Sequence, residues 1–172
     1  TVSADPTIST QPTVTQTICV GASTSLTVAA TGGTGTFSYQ WFSNTTNSNV
    51  GGTNLGSGSG AQTATYTPPT ASAGTVFYYC VINQTGTGCG PLTSNTATVI
   101  VVADPTISTQ PTAIQTICVG ASTSLTVVTT GGTGTFSYQW FSNTIDSNSG
   151  GTNLGSGSGA QTATYTPPTA SA

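Results

Sequence analysis

The side chains able to do chemistry in this sequence are few. Its 172 residues contain no Lys, Arg or His, and the three carboxylates are Asp5, Asp104 and Asp146. General acid–base catalysis needs a group that titrates near the working pH and sits within hydrogen-bond reach of a substrate. The His, Glu and Lys that usually serve are missing. Ser and Thr are plentiful, yet a hydroxyl nucleophile requires an adjacent base, and nothing here supplies one. The protein is not expected to be an enzyme.

Metal chemistry fares no better. Zinc sites are built from clustered Cys and His, and calcium loops from several convergent carboxylates. Asp5 and Asp104 each stand alone before a Pro, so backbone carbonyls around an inter-repeat Asp are the only route to calcium. No metal or cofactor is expected. Nucleic acid and anionic membrane surfaces are held largely by Lys and Arg, so neither is an expected partner. A net charge of −3 steers little. No run of about 18 apolar residues is present to insert into a bilayer. The opening residues, Thr1-Val2-Ser3-Ala4-Asp5-Pro6, show neither the charged region nor the apolar core of a signal peptide.

Four Cys remain as reactive groups, and their meaning depends on the elements that position them. The largest organising feature is an internal repeat. Ala4–Pro12 recurs as Ala103–Pro111, an offset of 99 residues (103 − 4), and the match runs on until Ala172 pairs with Ala73. Seven pairs differ: Val14/Ala113, Thr15/Ile114, Ala29/Val128, Ala30/Thr129, Thr46/Ile145, Asn47/Asp146 and Val50/Ser149. Such near-identity points to recent duplication and one shared job. A unit of about 100 residues is long enough to fold alone, unlike the repeats of solenoids. The expected division is the end of a preceding repeat at 1–3, a complete repeat at 4–102, and a second at 103–172 without the segment matching 74–102. The chain reads as a window on a longer array. The alternative is that a neighbouring chain supplies the missing strands.

Period-two alternation between clusters of Gly, Pro, Asn and Ser marks strands and nearly excludes helix. Leu26, Val28 and Ala30 share one apolar face, and Phe37, Tyr39 and Trp41 share another after the turn Thr31–Gly35. Ala64 and Tyr66 do the same ahead of Pro68-Pro69, where a missing ladder donor ends the strand. Residues 44–60 read as loops around a short edge strand near Leu55. Val76–Ile82 is a strand with Tyr78 and Cys80 facing inward, and Ala97, Val99 and Val101 alternate in the last one. The fold class is all-β. The link Ala103-Asp104-Pro105 is too short for a flexible tether, so the expected array is a semi-rigid rod.

Tyr39-Gln40-Trp41 and Tyr78-Tyr79-Cys80 resemble the strand C tryptophan and the strand F tyrosine corner of immunoglobulin domains. The resemblance implies tandem immunoglobulin-like Greek-key β-sandwiches, the second copy incomplete. It places Trp41, Tyr78 and Trp140 in the structural core and has the Tyr78 hydroxyl capping nearby backbone. One position departs from the family: Val28 stands where the strand B cysteine belongs, so the usual inter-sheet disulfide is absent. Thr17-Ile18-Cys19-Val20-Gly21, with Gly88-Cys89-Gly90 ahead of Ser94-Asn95-x-Ala97-x-Val99-x-Val101, resembles more closely the immunoglobulin-like repeats of giant surface adhesins of Bacteroidetes-type bacteria. That likeness implies type IX export, an extracellular place at the cell surface, and a role in attachment or gliding.

The full unit holds Cys19, Cys80 and Cys89, and an odd count in an exported protein leaves a thiol or an inter-unit bond. A hairpin centred on Gln84-Thr85 sets Cys80 opposite Cys89 at a cross-strand spacing that suits a disulfide. The alternative joins Cys19 to the F–G loop Cys of the next unit, with Cys118 behaving as Cys19 does. A third state leaves every thiol reduced.

If Tyr39, Trp41, Tyr78 and Cys80 face inward, then Gln40, Phe42, Phe77, Tyr79 and Val81 face outward as an apolar stripe. Contiguous exposed aromatics mark interaction faces, so lateral packing of identical chains in a fibre is expected there. Cover by the loop after Asn44 or by the neighbouring unit is the competing expectation. Thr-x-Thr triplets fit ice or glycan surfaces, but Thr is also a favoured solvent-face strand residue. Asn44-Thr45-Thr46 and Asn83-Gln84-Thr85 match the N-glycosylation acceptor, and Ile145 abolishes the first in the second copy. The expected function is a structural stalk or fibre segment, with neighbouring repeats, identical chains and surface glycans as partners. The alternatives are an adhesive module binding through the varied 46–50 loop or the aromatic face, and an ice- or glycan-surface binder.

Overall fold

The computed structural model describes residues 4–86 and 90–168. The preceding-repeat end expected at 1–3 and the thiol of Cys89 lie outside these residues. The chain divides into two compact units, one ending at Asp104 and the other starting at Pro105.

The described residues of the first unit form ten strands: β1 (Thr7–Thr10), β2 (Thr15–Cys19), β3 (Leu26–Thr27), β4 (Ala29–Thr31), β5 (Phe37–Asn44), β6 (Thr53–Asn54), β7 (Thr65–Tyr66), β8 (Gly74–Gln84), β9 (Leu92–Thr93) and β10 (Ala97–Val102). One layer is a six-stranded sheet in the order β2-β10-β8-β5-β6, with β9 attached to β8. The other consists of two small patches, β1 with β4 and β3 with β7. Residues 26–31 are thus shared between two partners. Leu26 and Thr27 pair with Tyr66 and Thr65, and after Val28 the chain turns to β1. The Val28 amide marks the switch by donating to the Ala64 carbonyl at 2.9 Å.

The alternation read from the sequence places the core between these layers. Leu26, Val28, Trp41, Ala61, Tyr66, Tyr78, Cys80, Ile82, Ala97, Val99 and Val101 form one buried cluster, with Phe37 and Tyr39 packed against it. Rings meet through its centre, Trp41 stacked on Tyr66 at 5.9 Å and Tyr66 tilted against Tyr78 at 5.5 Å. Two features escape an alternation argument. The first is β1 and β2 themselves, which are Thr-rich, β1 mostly exposed and β2 alternating between exposed and half-buried. The second is that β2 runs parallel to β10, from Thr15 beside Thr98 to Cys19 beside Val102.

Among its described residues the second unit forms short pairs. β11 (Thr106–Thr109) joins β13 (Val128–Thr130), β12 (Leu125–Thr126) joins β16 (Thr164–Tyr165), and β14 (Phe141–Ser142) joins β15 (Thr152–Asn153). In both units a turn of 3-10 helix, Gly58–Gly60 or Gly157–Gly159, carries a serine with φ of 53°, Ser59 or Ser158.

Candidate functional site

The outward face of β5 and β8 is the surface on which the sequence placed an interaction site. Antiparallel register sets Phe42 opposite Tyr79, Gln40 opposite Val81 and Asn44 opposite Phe77. The five residues are therefore brought together. They are not an exposed stripe. Tyr79 is only 4% exposed, and Gln40, Phe42, Phe77 and Val81 are half-buried.

The cover is the loop between β5 and β6. Phe42 and Tyr79 stack with ring centres 5.2 Å apart and planes within 7°. The Gly52 amide donates to the Tyr79 hydroxyl at 3.0 Å, so the polar tip of the ring is satisfied inside the unit. Position 52 has to be glycine, because a Cβ there would meet the Ser43 carbonyl oxygen at 2.6 Å and the Tyr79 ring at 2.8 Å. The loop holds its own shape as well: Asn44 Nδ2 donates to the carbonyls of Ser48 and Val50, both at 3.1 Å. That use of the amide occupies the first glycosylation-type Asn, whereas Asn83 is exposed.

The same loop reaches the far edge of the sheet. Asn49 Nδ2 donates to the Ser94 carbonyl at 3.0 Å, and Thr96 Oγ1 donates to Asn47 Oδ1. Ser94 lies where β9 gives way to β10. Val81 pairs with Thr93, but Tyr78 pairs with Ala97, so one extra residue is inserted between them as a bulge. Fully buried Ser94 repairs the interrupted ladder: its Oγ accepts from the Cys80 amide at 2.9 Å and donates to the Asn95 carbonyl at 2.9 Å. No sequence period signals this residue.

This register differs from the hairpin on which the Cys80–Cys89 pairing was expected, and Cys89 itself lies outside the described residues. With Ile82 opposite Leu92 and Val81 opposite Thr93, the residue across from Cys80 is Ser94. The connection is longer than a hairpin centred on Gln84-Thr85 allows. Among the described residues Cys19, Cys80 and Cys118 are free thiols, half-buried, buried and exposed in turn. Burial pushes the Cys80 thiol up to about 12, against a small lowering from a backbone hydrogen bond at Gln40. It is a small apolar core residue.

The core residues fall in two classes. Trp41 is fully buried, while Trp140 is half-buried. Tyr78 is buried. Its ring borders a groove of about 340 Å³ lined also by Pro69, Ala73, Val99 and Val101. Burial, and then neighbouring Tyr66, push the Tyr78 hydroxyl up to about 12. No group of three or more His, Cys, Asp or Glu gathers among the described residues.

The geometry is that of a packed, uncharged sandwich. The family described as Domain of unknown function (DUF8696) matches residues 8–103. The chain belongs to that family. The match ends one residue after β10, so a DUF8696 domain corresponds to the first unit. Among solved structures, Sidekick-1 immunoglobulin domains 1–5 are similar, with a TM-score of 0.53 and 19% identity over 76% of this chain and 26% of that one. Sidekick-1 immunoglobulin domains 1–4 give a TM-score of 0.52 and 18% identity over 75% of this chain and 32% of that one. The chain thus spans about a quarter to a third of the length of those structures. No curated protein matches the sequence. The fold of this DUF8696 protein is an immunoglobulin-like β-sandwich.

Proposed function

We propose that the chain is a stalk or fibre segment of an extracellular bacterial surface adhesin, projecting other parts of the protein through repeated immunoglobulin-like domains. The observation that carries this reading is the pattern of the duplication. Seven positions differ between the copies, and none of them belongs to the buried cluster of the first unit. A stalk gains reach by copying a unit unchanged, whereas a binding tip needs distinctive loops. The short Ala103-Asp104-Pro105 link and the missing Lys and Arg suit a rod exposed to proteases outside the cell. Cover of Phe42 and Tyr79 by the unit's own loop supports single rods over filaments packed through that face.

Electron microscopy of the purified cell-surface protein tests the proposal. Thin rods with one bead per repeat of about 100 residues are the expected image. Compact particles without a rod would sink it. A second reading, a glycan-binding module, is favoured by one observation: Thr46, Asn47 and Val50 vary between the copies and are all exposed. Binding to immobilised neutral glycans that is lost on exchanging these three residues would shift the assignment to that reading.

A further inference from the structure

The smaller layer of the first unit turns threonines outward. Leu26, Val28 and Tyr66 point into the core, so strand alternation sends Ser25, Thr27, Thr31 and Thr65 the other way, and all four are exposed. Thr27 stands opposite Thr65, and Thr31 opposite exposed Thr7. The surface is thus three strands wide, with residues 26–31 in the middle. The Thr27 and Thr65 hydroxyls lie 3.1 Å apart and share a hydrogen.

The second unit repeats this surface with the same partners. The hydroxyls of Thr126 and Thr164 lie 3.1 Å apart, and those of Thr106 and Thr130 3.2 Å apart. All four residues are exposed. Of the two differences on the middle strand, Ala29/Val128 keeps an apolar residue between the threonines. The other, Ala30/Thr129, leaves the surface alone, because Thr129 is half-buried and bonds the Tyr138 hydroxyl at 2.8 Å. The threonine pairs therefore form even where the described residues include no six-stranded sheet behind them.

What such a face can hold follows from its chemistry. Its strands carry no charged side chain, so an ionic partner meets no counter-charge. Their aromatic rings, Tyr66 and Tyr165, are buried on the other side, so a sugar has no ring to lie on. Each hydroxyl can donate one hydrogen bond and accept two, and the shared hydrogen fixes two oxygens while leaving bonding capacity outward. Cross-strand partners stand about 4.5–5.5 Å apart, and outward neighbours along a strand about 6.6 Å apart. Water oxygens on the prism face of ice repeat on a rectangular net of comparable dimensions. That lattice is neutral, rejects dissolved ions and offers donors and acceptors alike. The threonine methyls, with Ala29 or Val128 between them, shed hydration water on contact with it.

We infer that the outer threonine face of β1, β4, β3 and β7, with its copy on β11, β13, β12 and β16, adsorbs to ice. Two faces on one chain strengthen attachment to a repeating surface through avidity. The inference goes beyond the stalk reading and does not depend on it, since rods in the microscope test the stalk alone.

Ice grown slowly from a dilute solution of the full 172-residue chain tests it, with the protein measured in the ice and in the remaining liquid. Enrichment in the ice is the expected result, whereas an ordinary solute stays in the liquid. Thr27→Lys combined with Thr126→Lys sets a charge on each face, and the ratio of ice to liquid should fall about tenfold or more, because an ammonium keeps its water. Thr27→Lys alone spares one face and should lose less. Thr65→Lys with Thr164→Lys, across each pair, should act as the first double variant does and keeps the test open if that variant fails to fold. Thr53→Lys with Thr152→Lys puts the same charges on exposed β6 and β15 and should leave the enrichment unchanged. Exclusion of the unaltered chain from ice would overturn the inference, as would equal losses in the face variants and in the β6 and β15 variant. Binding to an immobilised neutral glycan, or self-association in sedimentation, that is lost in Thr27→Lys with Thr126→Lys while the chain stays out of ice would also overturn it, giving the face to a sugar or to a second copy.

Discussion

Trp41 and Trp140 occupy the same place in two nearly identical sequences and make the same bonds. Each indole Nε1 donates at 2.9 Å to a carbonyl 22 residues ahead, Thr63 or Thr162. Each backbone amide donates at 2.8 Å to Ala61 or Ala160, and each carbonyl accepts at 3.2 Å from Leu55 or Leu154. Gln40 and Gln139 repeat the agreement, reaching Gly56 and Gly155 at 3.0 and 3.1 Å. The tryptophans part company only in burial, since Trp41 is sealed and Trp140 is half-open. The loop that clasps the tryptophan is therefore local, made by residues 55–63 alone. What seals it is distant in sequence.

Strand formation divides in the same way. Phe-Ser-Tyr-Gln-Trp-Phe-Ser-Asn is an eight-residue strand at 37–44, yet at 136–143 the same residues contribute only Phe141–Ser142. The difference is β8, which pairs with β5 along its whole length. The described residues of the second unit include no counterpart of β8 to β10. β-propensity is largely a fit to neighbouring strands, and identical residues with different neighbours make that visible.

The comparison can be broken outright. Appending the sequence of Gly74–Val102 after Ala172 should turn 136–143 into a full strand and bury Trp140. The expected result is a new cooperative unfolding transition of several kcal/mol, within the range of small domains, with a blue shift in tryptophan emission and slowed amide exchange at 137–141. Unchanged exchange would mean that the missing neighbours are not the cause.

A smaller effect sharpens the contrast. Trp41→Ala should cost about 3–5 kcal/mol in urea unfolding, as for a sealed core aromatic. Trp140→Ala should cost about 1–2 kcal/mol, because much of its surface is already wet. Tyr79→Ser comes next, at about 2–3 kcal/mol, since it removes a buried ring and leaves the Gly52 amide without its partner. Tyr79→Phe should cost about 1–2 kcal/mol. A fully stable Tyr79→Ser would contradict the covered face.

The mildest perturbation is pH. Folding raises Cys80 from 9.0 and Tyr78 from 10.0, each to about 12, mainly by burial. Both groups are neutral in the folded unit and lose their protons earlier when it unfolds. The folded state then holds more protons, so stability falls as pH rises. The contribution is complete below pH 9 and fades towards pH 12. Urea midpoints measured across that window should decline, and Cys80→Ala should flatten the decline between pH 9 and 10.

The sequence by itself determined the repeat, the all-β class and which side of the core strands faces in, because period two is written directly in Leu26, Val28, Phe37, Tyr39, Trp41, Tyr78, Cys80 and Val99. It also determined the poverty of titratable groups. The candidate site was legible as a set of residues and not as a surface: Phe42 and Tyr79 do face outward, but their cover comes from a Gly-, Asn- and Ser-rich loop with no period to read. Cys80 facing Ser94 was equally hidden, since register depends on loop length and a bulge. Only the tertiary structure decided that β2 lies parallel to β10 and that Trp41 is closed while Trp140 is open. Both outcomes rest on ladders between residues far apart in the chain, and such pairings have no signature in the local sequence that enters them.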